Sequence, residues 1–174
     1  MVKLELYLYN EKWHEDFLKV KNEIVRETGV PKERIEHIGS TAIKGIVAKP
    51  ILDIVVGVDE IDSVKEELFE GLKKISFLRL RVERPKEIVL AKFVDDTYQE
   101  KTHFFHLVDY GKELWNNLIF FRDYLNFHEE TRKEYEQIKL SFFKEHIGGI
   151  EEYTNYKEKF VLEIYDKRLE KLPE

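Results

Sequence analysis

Residues 37–58 read His-Ile-Gly-Ser-Thr-Ala-Ile-Lys-Gly-Ile-Val-Ala-Lys-Pro-Ile-Leu-Asp-Ile-Val-Val-Gly-Val, and this stretch decides the fold. Its second half, residues 50–58, carries apolar side chains at both parities. A strand of that kind is buried on both faces and lies in the middle of a sheet. Only Asp53 interrupts the apolar run. A carboxylate there is costly unless it is paired, hydrogen-bonded or bound to a metal. Two readings follow: a buried Lys, Arg or His compensates Asp53, or Asp53 is a metal ligand on the floor of a cleft. In the first half, Gly39-Ser40-Thr41 leaves a short strand at 34–38 and opens a brief helix. Such a turn offers unpaired backbone N–H groups and two hydroxyls, which suits a phosphate. It also suits an ordinary helix cap.

Outward from this segment the chain alternates between two periodicities. Residues 3–9 alternate as a short strand. Asn10 caps a helix running to about Thr28, with the apolar stripe Trp13, Phe17, Val20, Ile24, and Gly29 and Pro31 end it. Asp59 or Asp62 caps a helix to about Lys74, where Ser63 and Glu66 have capping-box spacing. Strands are predicted at 76–82, 87–94 and 102–108. From Lys112 the pattern is helical, over 112–127, 130–146 and 150–170, with Gly148-Gly149 between the last two. The aromatic stripes Phe120, Phe121, Tyr124, Phe127 and Tyr135, Phe142, Phe143 are expected in the core. The class is α+β: a small mixed sheet, flanking helices and a C-terminal helical segment. Residues 1–110 form the α/β core with its N-terminal helix. Residues 111–174 form helices packed on it, in one compact unit.

Composition narrows the chemistry. The 174 residues include no Cys, which removes disulfides, thiol nucleophiles and thiolate metal sites. No apolar run reaches membrane-spanning length and the first residues lack a signal-peptide pattern, so a cytoplasmic protein without a membrane partner is expected. The net charge of −6 argues against a broad nucleic-acid surface but allows a local basic pocket.

Gly39-Ser40, twelve further residues and then Asp53 on a buried strand resembles the signature of the nucleotidyltransferase superfamily. The whole stretch 37–58 resembles the hallmark segment of the GrpB family, whose members are expected to share that fold. Other pieces agree: Tyr9-Asn10 with Trp13, Thr102 to Val108, Trp115, Phe121 to Leu125, Tyr135 with Lys139, and Tyr156, Lys159 and Phe160. The resemblance implies a metal-dependent transfer of a nucleoside monophosphate from an NTP to an acceptor. Gly39, Ser40 and Thr41 would then hold phosphate, and Asp53 would hold Mg2+ or Mn2+. The superfamily pattern places a second carboxylate two residues on, where this chain has Val55.

Other residues are candidates to complete the site. Strand parity puts His103 and His106 on opposite faces, so one of them faces the cleft. His106 is a candidate catalytic residue and His103 a candidate metal ligand. His37, Lys49 and Arg122 are candidate phosphate contacts, and Glu83, Glu87, Asp95 and Asp96 are alternative carboxylates. Two other functions remain open. One is a non-catalytic module binding a nucleotide or a phosphorylated small molecule. The other is a phosphohydrolase using His37, His103 or His106 with Asp53 and Mn2+ or Zn2+.

Overall fold

The computed structural model describes residues 5–145 and 150–171. The glycine pair 148–149, expected between the last two helices, lies outside the described residues.

One five-stranded sheet organises the chain, in the order β1-β2-β5-β4-β3. Its strands are β1 (Ile35–Ile38), β2 (Leu52–Val58), β3 (Leu78–Arg79), β4 (Glu87–Phe93) and β5 (Lys101–Asp109). β2 runs parallel to β5, and the other neighbours are antiparallel. The strand that is apolar on both faces thus lies inside the sheet, as its pattern requires.

Two helical layers cover the two faces. On one side α1 (Lys12–Thr28) and α2 (Glu66–Lys74) bury Trp13, Phe17, Val20, Ile24 and Leu72 against Ile54, Val56, Phe105 and Leu107. On the other, α3 (Glu113–Phe127) lays Trp115 over Ile38, Val55 and Val108. α4 (Glu129–Glu145) and α5 (Ile150–Glu170) complete this side. Their Tyr135, Phe160 and Ile164 pack with Phe121 and Leu125 around Ile43 and Ile46, which follow the Gly-Ser turn. The C-terminal helices therefore grip the segment between β1 and β2 as well as the sheet.

Several local expectations are corrected. Of residues 5–9, only Tyr7 pairs, through an isolated bridge to Ala48. The strand expected at 76–82 is confined to Leu78–Arg79. The brief helix expected after the Gly-Ser turn is a single 3-10 turn, Ser40–Ala42. Asn10 does meet a helical N–H, that of Lys12 at 2.9 Å. The caps expected for α2 do not form: Asp59 pairs with Arg34, Asp62 with Lys86, and Ser63 bonds Glu60. α2 starts only at Glu66, after a 3-10 turn at Ile61–Ser63, so its N-cap is Lys65 and none of these side chains stands at it. Phe127, expected in the core, is exposed at the end of α3. Among the described residues, no helix is long and apolar enough to cross a membrane.

The α1–α2 contact gives a test. A Cβ at Gly71 would lie 2.4 Å from the carbonyl oxygen of Glu27. Alanine normally stabilises a helix by about 1 kcal/mol over glycine. Here the clash is with backbone, and overpacking costs about 1–3 kcal/mol. Gly71→Ala is expected to lower stability, read as a lower urea midpoint; an unchanged or raised midpoint would mean α2 can slide away from α1.

Candidate functional site

The site begins with the compensation of Asp53. Parity places Asp53, Val55 and His106 on the same face of the sheet, and the register sets His106 beside Val55, diagonal to Asp53. The imidazole spans that diagonal. Its Nε2 lies 3.3 Å from Asp53 Oδ1, and its Nδ1 lies 2.6 Å from Oε1 of Glu87 on β4. Both partners are carboxylate oxygens, so a ring bonded to both carries two protons. Burial opposes that charge, but the hydrogen bonds and charges of Asp53 and Glu87 outweigh it and raise the His106 pKa to about 9. For Glu87 burial likewise works against ionisation, and His106 and Arg84 overcome it, holding its pKa below the usual range. The half-buried charge on β2 is thus answered by an imidazolium between two carboxylates.

Gly39 closes over the same carboxylate. Its φ of 71° is in the left-handed region, and an added Cβ would lie 2.5 Å from Asp53 Oδ2. Only glycine permits both the backbone angle and the close approach. The turn delivers Ser40 beside Asp53, and helices α3 and α4 hold the segment that follows. Asn126 accepts a bond from Lys44 N–H and donates one to Ala42 O, and Glu136 accepts the N–H of Val47.

The key contact from α4 is Lys139. Its Nζ donates to Ser40 Oγ and, at 3.2 Å, to Val47 O. Lys139 is only 2% exposed. Burial, followed by the charge of Lys157, lowers its pKa to about 7; Lys49 adds to the effect while Asp53 and Glu136 offset part of it. Lys49 is also lowered, first by burial and then by Lys157. These three lysines, with Ser40, Asp53, Leu6, Ile51 and Phe104, line a cavity of about 200 Å³.

The other candidates lie elsewhere. His37 faces α1, stacks on Phe17 at 5.0 Å and shares a 2.8 Å hydrogen bond with buried Thr41. Burial lowers its pKa to about 4. His103 also faces the α1–α2 layer, edge-on to Phe77 and bonded to Thr102, and burial with Lys92 lowers it to about 4. The metal-ligand role assigned to His103 therefore lacks geometric support; of the three histidines, His106 meets Asp53, while His37 and His103 face the α1–α2 layer. Arg122 is drawn to Glu36, Asp123 and the carbonyl of His37, tying α3 to β1 rather than entering the cavity. Of the alternative carboxylates, Glu87 joins the site through His106, while Asp95 is spent on Thr97 in a turn.

A two-metal centre does not fit this donor set. Such chemistry needs carboxylates converging on cations about 3.5–4 Å apart. Val55 is fully buried under Trp115, and the imidazole of His106 separates Asp53 from Glu87. Among the described residues no three His, Asp or Glu side chains converge as a metal site.

Comparison with known proteins agrees with the architecture. The chain has a nucleotidyltransferase-like fold: it matches the Cid1 poly(U) polymerase bound to MgATP with a TM-score of 0.57 over 82% of this chain and 46% of that one, at 11% identity. It belongs to the GrpB family, whose "GrpB protein" profile matches residues 3–167. It is 40% identical over 163 residues to the glutamate-rich protein GrpB of Alkalihalophilus pseudofirmus, covering 93% of this chain and 94% of that protein. The crystal structure of the conserved protein GrpB from Enterococcus faecalis matches with a TM-score of 0.78 and 25% identity over 96% of this chain and 98% of that one.

The buried charges set a pH signature. His106 is raised from 6.5 to about 9, so its stabilisation is complete below pH 6.5 and is lost as pH rises through 9. Lys139 is lowered from 10.5 to about 7, so between those values the unfolded chain holds more protons and stability rises with pH. The two oppose each other between pH 7 and 9, where the intact protein should show little slope from this pair. Lys139→Met should leave a stability that falls with pH in that window, and His106→Gln one that rises. Each slope is bounded by about 1.4 kcal/mol per pH unit. Urea midpoints at pH 7, 8 and 9 measure both; parallel profiles in the two variants would show that neither charge is buried as described.

Proposed function

We propose that the protein binds the phosphate end of a nucleotide or a phosphorylated small molecule in the cavity between the β2 end of the sheet and α4. The observation that carries this reading is the convergence of Lys49, Lys139 and Lys157 with Ser40 on one small cavity. Lysines depressed first by burial and then by a neighbouring lysine's charge mark a site that an anion would stabilise. The chain as a whole is acidic, which makes the local excess of cations more pointed. A cavity of about 200 Å³ is smaller than the 300 Å³ or more of a typical drug-sized pocket. It suits the head of a ligand whose remainder lies outside.

Ser40 would donate its hydroxyl to phosphate, and the ammonium of Lys139 would fix both Ser40 and the anion. A nucleotide is the first ligand class to test, because the Cid1 structures of this fold hold MgATP and MgGTP. Nucleotidyl transfer, the activity the family resemblance suggests, is the weaker reading here. Val55 stands where its second carboxylate would be.

Isothermal titration with ATP, GTP, CTP, UTP and inorganic tripolyphosphate at pH 7 tests the proposal. At least one is expected to bind, with affinity falling at least tenfold in Lys139→Met. Affinity is also expected to fall as pH rises above 7, because the neutral amine of Lys139 loses its attraction for phosphate. Absence of heat from all five ligands, in a protein that melts cooperatively, would refute the phosphate pocket.

A further inference from the structure

We infer that this cavity takes its phosphate ligand free of any divalent cation, with three lysines in place of the metal and His106 holding the carboxylate a metal would need. The inference rests on the phosphate-binding reading above and concerns the ionic form of the ligand.

Four observations carry it. Asp53 is the cavity's carboxylate, and its Oδ1 already meets His106 Nε2 at 3.3 Å. A cation arriving at Asp53 would face an imidazole that is itself anchored to Glu87 at 2.6 Å and cannot turn away without giving up that bond. The neighbouring position on the same face is Val55, sealed with Ile38, Val108 and Trp115 in an apolar cluster. Neither water nor a ligand oxygen reaches a cation from that side. The other polar groups lining the cavity are Lys49, Lys139 and Lys157, which offer Mg2+ no oxygen, and Ser40, whose hydroxyl oxygen already accepts from Lys139, so the near-octahedral oxygen shell of Mg2+ has little to draw on beyond Asp53.

Charge arithmetic then sets the preference. Chelation by Mg2+ cancels two negative charges of a polyphosphate and occupies the oxygens that the ammonium groups would bind. A metal-bound ligand brings less attraction to three lysines and adds repulsion from a fixed dication. The free ligand gains most, since charge-assisted hydrogen bonds to ionised oxygens are the strong ones. The site is thus built for an unchelated polyphosphate or phosphomonoester.

Titration of the intact protein with tripolyphosphate and with ATP, in EDTA and again in saturating Mg2+ or Mn2+, decides the matter. Binding in EDTA is expected, at least tenfold tighter than in either metal; equal affinity with and without metal would overturn the preference for the unchelated ligand. Binding that appears only with Mg2+ or Mn2+, or is tenfold tighter with them, would overturn the inference while leaving the phosphate pocket standing. No binding in any of the three conditions would overturn both. Titration with Mn2+ alone, followed by the paramagnetic signal of the free ion, gives an independent reading: the signal should be the same with the native protein and with Asp53→Asn, and a loss that the substitution abolishes would overturn the inference.

Discussion

Asp53 is the constraint around which this protein is organised. A carboxylate set among apolar strand neighbours needs a partner for its charge, even where, as for Asp53, its side chain keeps 31% of its surface exposed. The molecule meets it from three directions. His106 reaches across from β5, Gly39 lets the turn after β1 pass directly over the carboxylate, and the lysine-lined cavity opens beside it. Glu87 then follows from His106: a buried imidazolium between one carboxylate and an apolar wall would be under-compensated, and β4 supplies the second anion. The triad sits on three adjacent strands, so the order β2-β5-β4 is a condition of the charge balance as well as of the hydrophobic core.

The C-terminal helices are bound into the same arrangement. The segment from Ser40 to Val47 makes little regular structure of its own, and its backbone groups must find partners elsewhere. Asn126, Glu136 and Lys139 provide them from α3 and α4, while Ile43 and Ile46 anchor it in the helical cluster. Lys139 belongs to both systems: one hydrogen bond goes to the backbone at Val47 and the other to the hydroxyl of Ser40. A change in the charge of Lys139 therefore acts on the seat of the ligand and on the contact between helices and sheet together.

How much of this can be read from the sequence depends on the range of the interaction. The buried strand, its lone Asp53 and the Gly-Ser turn are local signals, and residues 37–58 carry them in the open. The pairing of Asp53 with His106 is half legible: strand parity shows that His103 and His106 part company, but choosing between them needs the register between β2 and β5. Glu87 is harder, because it acts on a diagonal across β4 and β5 and looks like any residue opening a strand. Lys139 carried a usable signal. It lies four residues after Tyr135, on the apolar side of a helix, where a lysine must have a reason to be. Lys157 lies in a Glu- and Lys-rich helix, and no local feature separates it from a solvated face. Arg122 misleads for the opposite reason: its functional look comes from being an arginine near a site, whereas Glu36 and the His37 carbonyl claim it.

Val55 shows how packing and chemistry compete for one position. A second carboxylate at that place needs a neighbourhood open to water or to ligand oxygens. Here α3 lies across it, and Trp115 gains its burial by resting on Val55, Ile38 and Val108. Introducing a charge beneath that ring would strand it in an apolar cluster, so the helix that stabilises this face also forbids the residue. The open part of the face is then the Asp53 end, where Ser40 and the lysines gather. Closing one end with an aromatic helix and lining the other with ammonium groups leaves a fold that can hold an anion firmly beside a single, already compensated carboxylate. The physical distinction from a transferase site is thus one of solvent access along β2: two residues apart on the same face, one position meets the cavity and the other is sealed beneath Trp115.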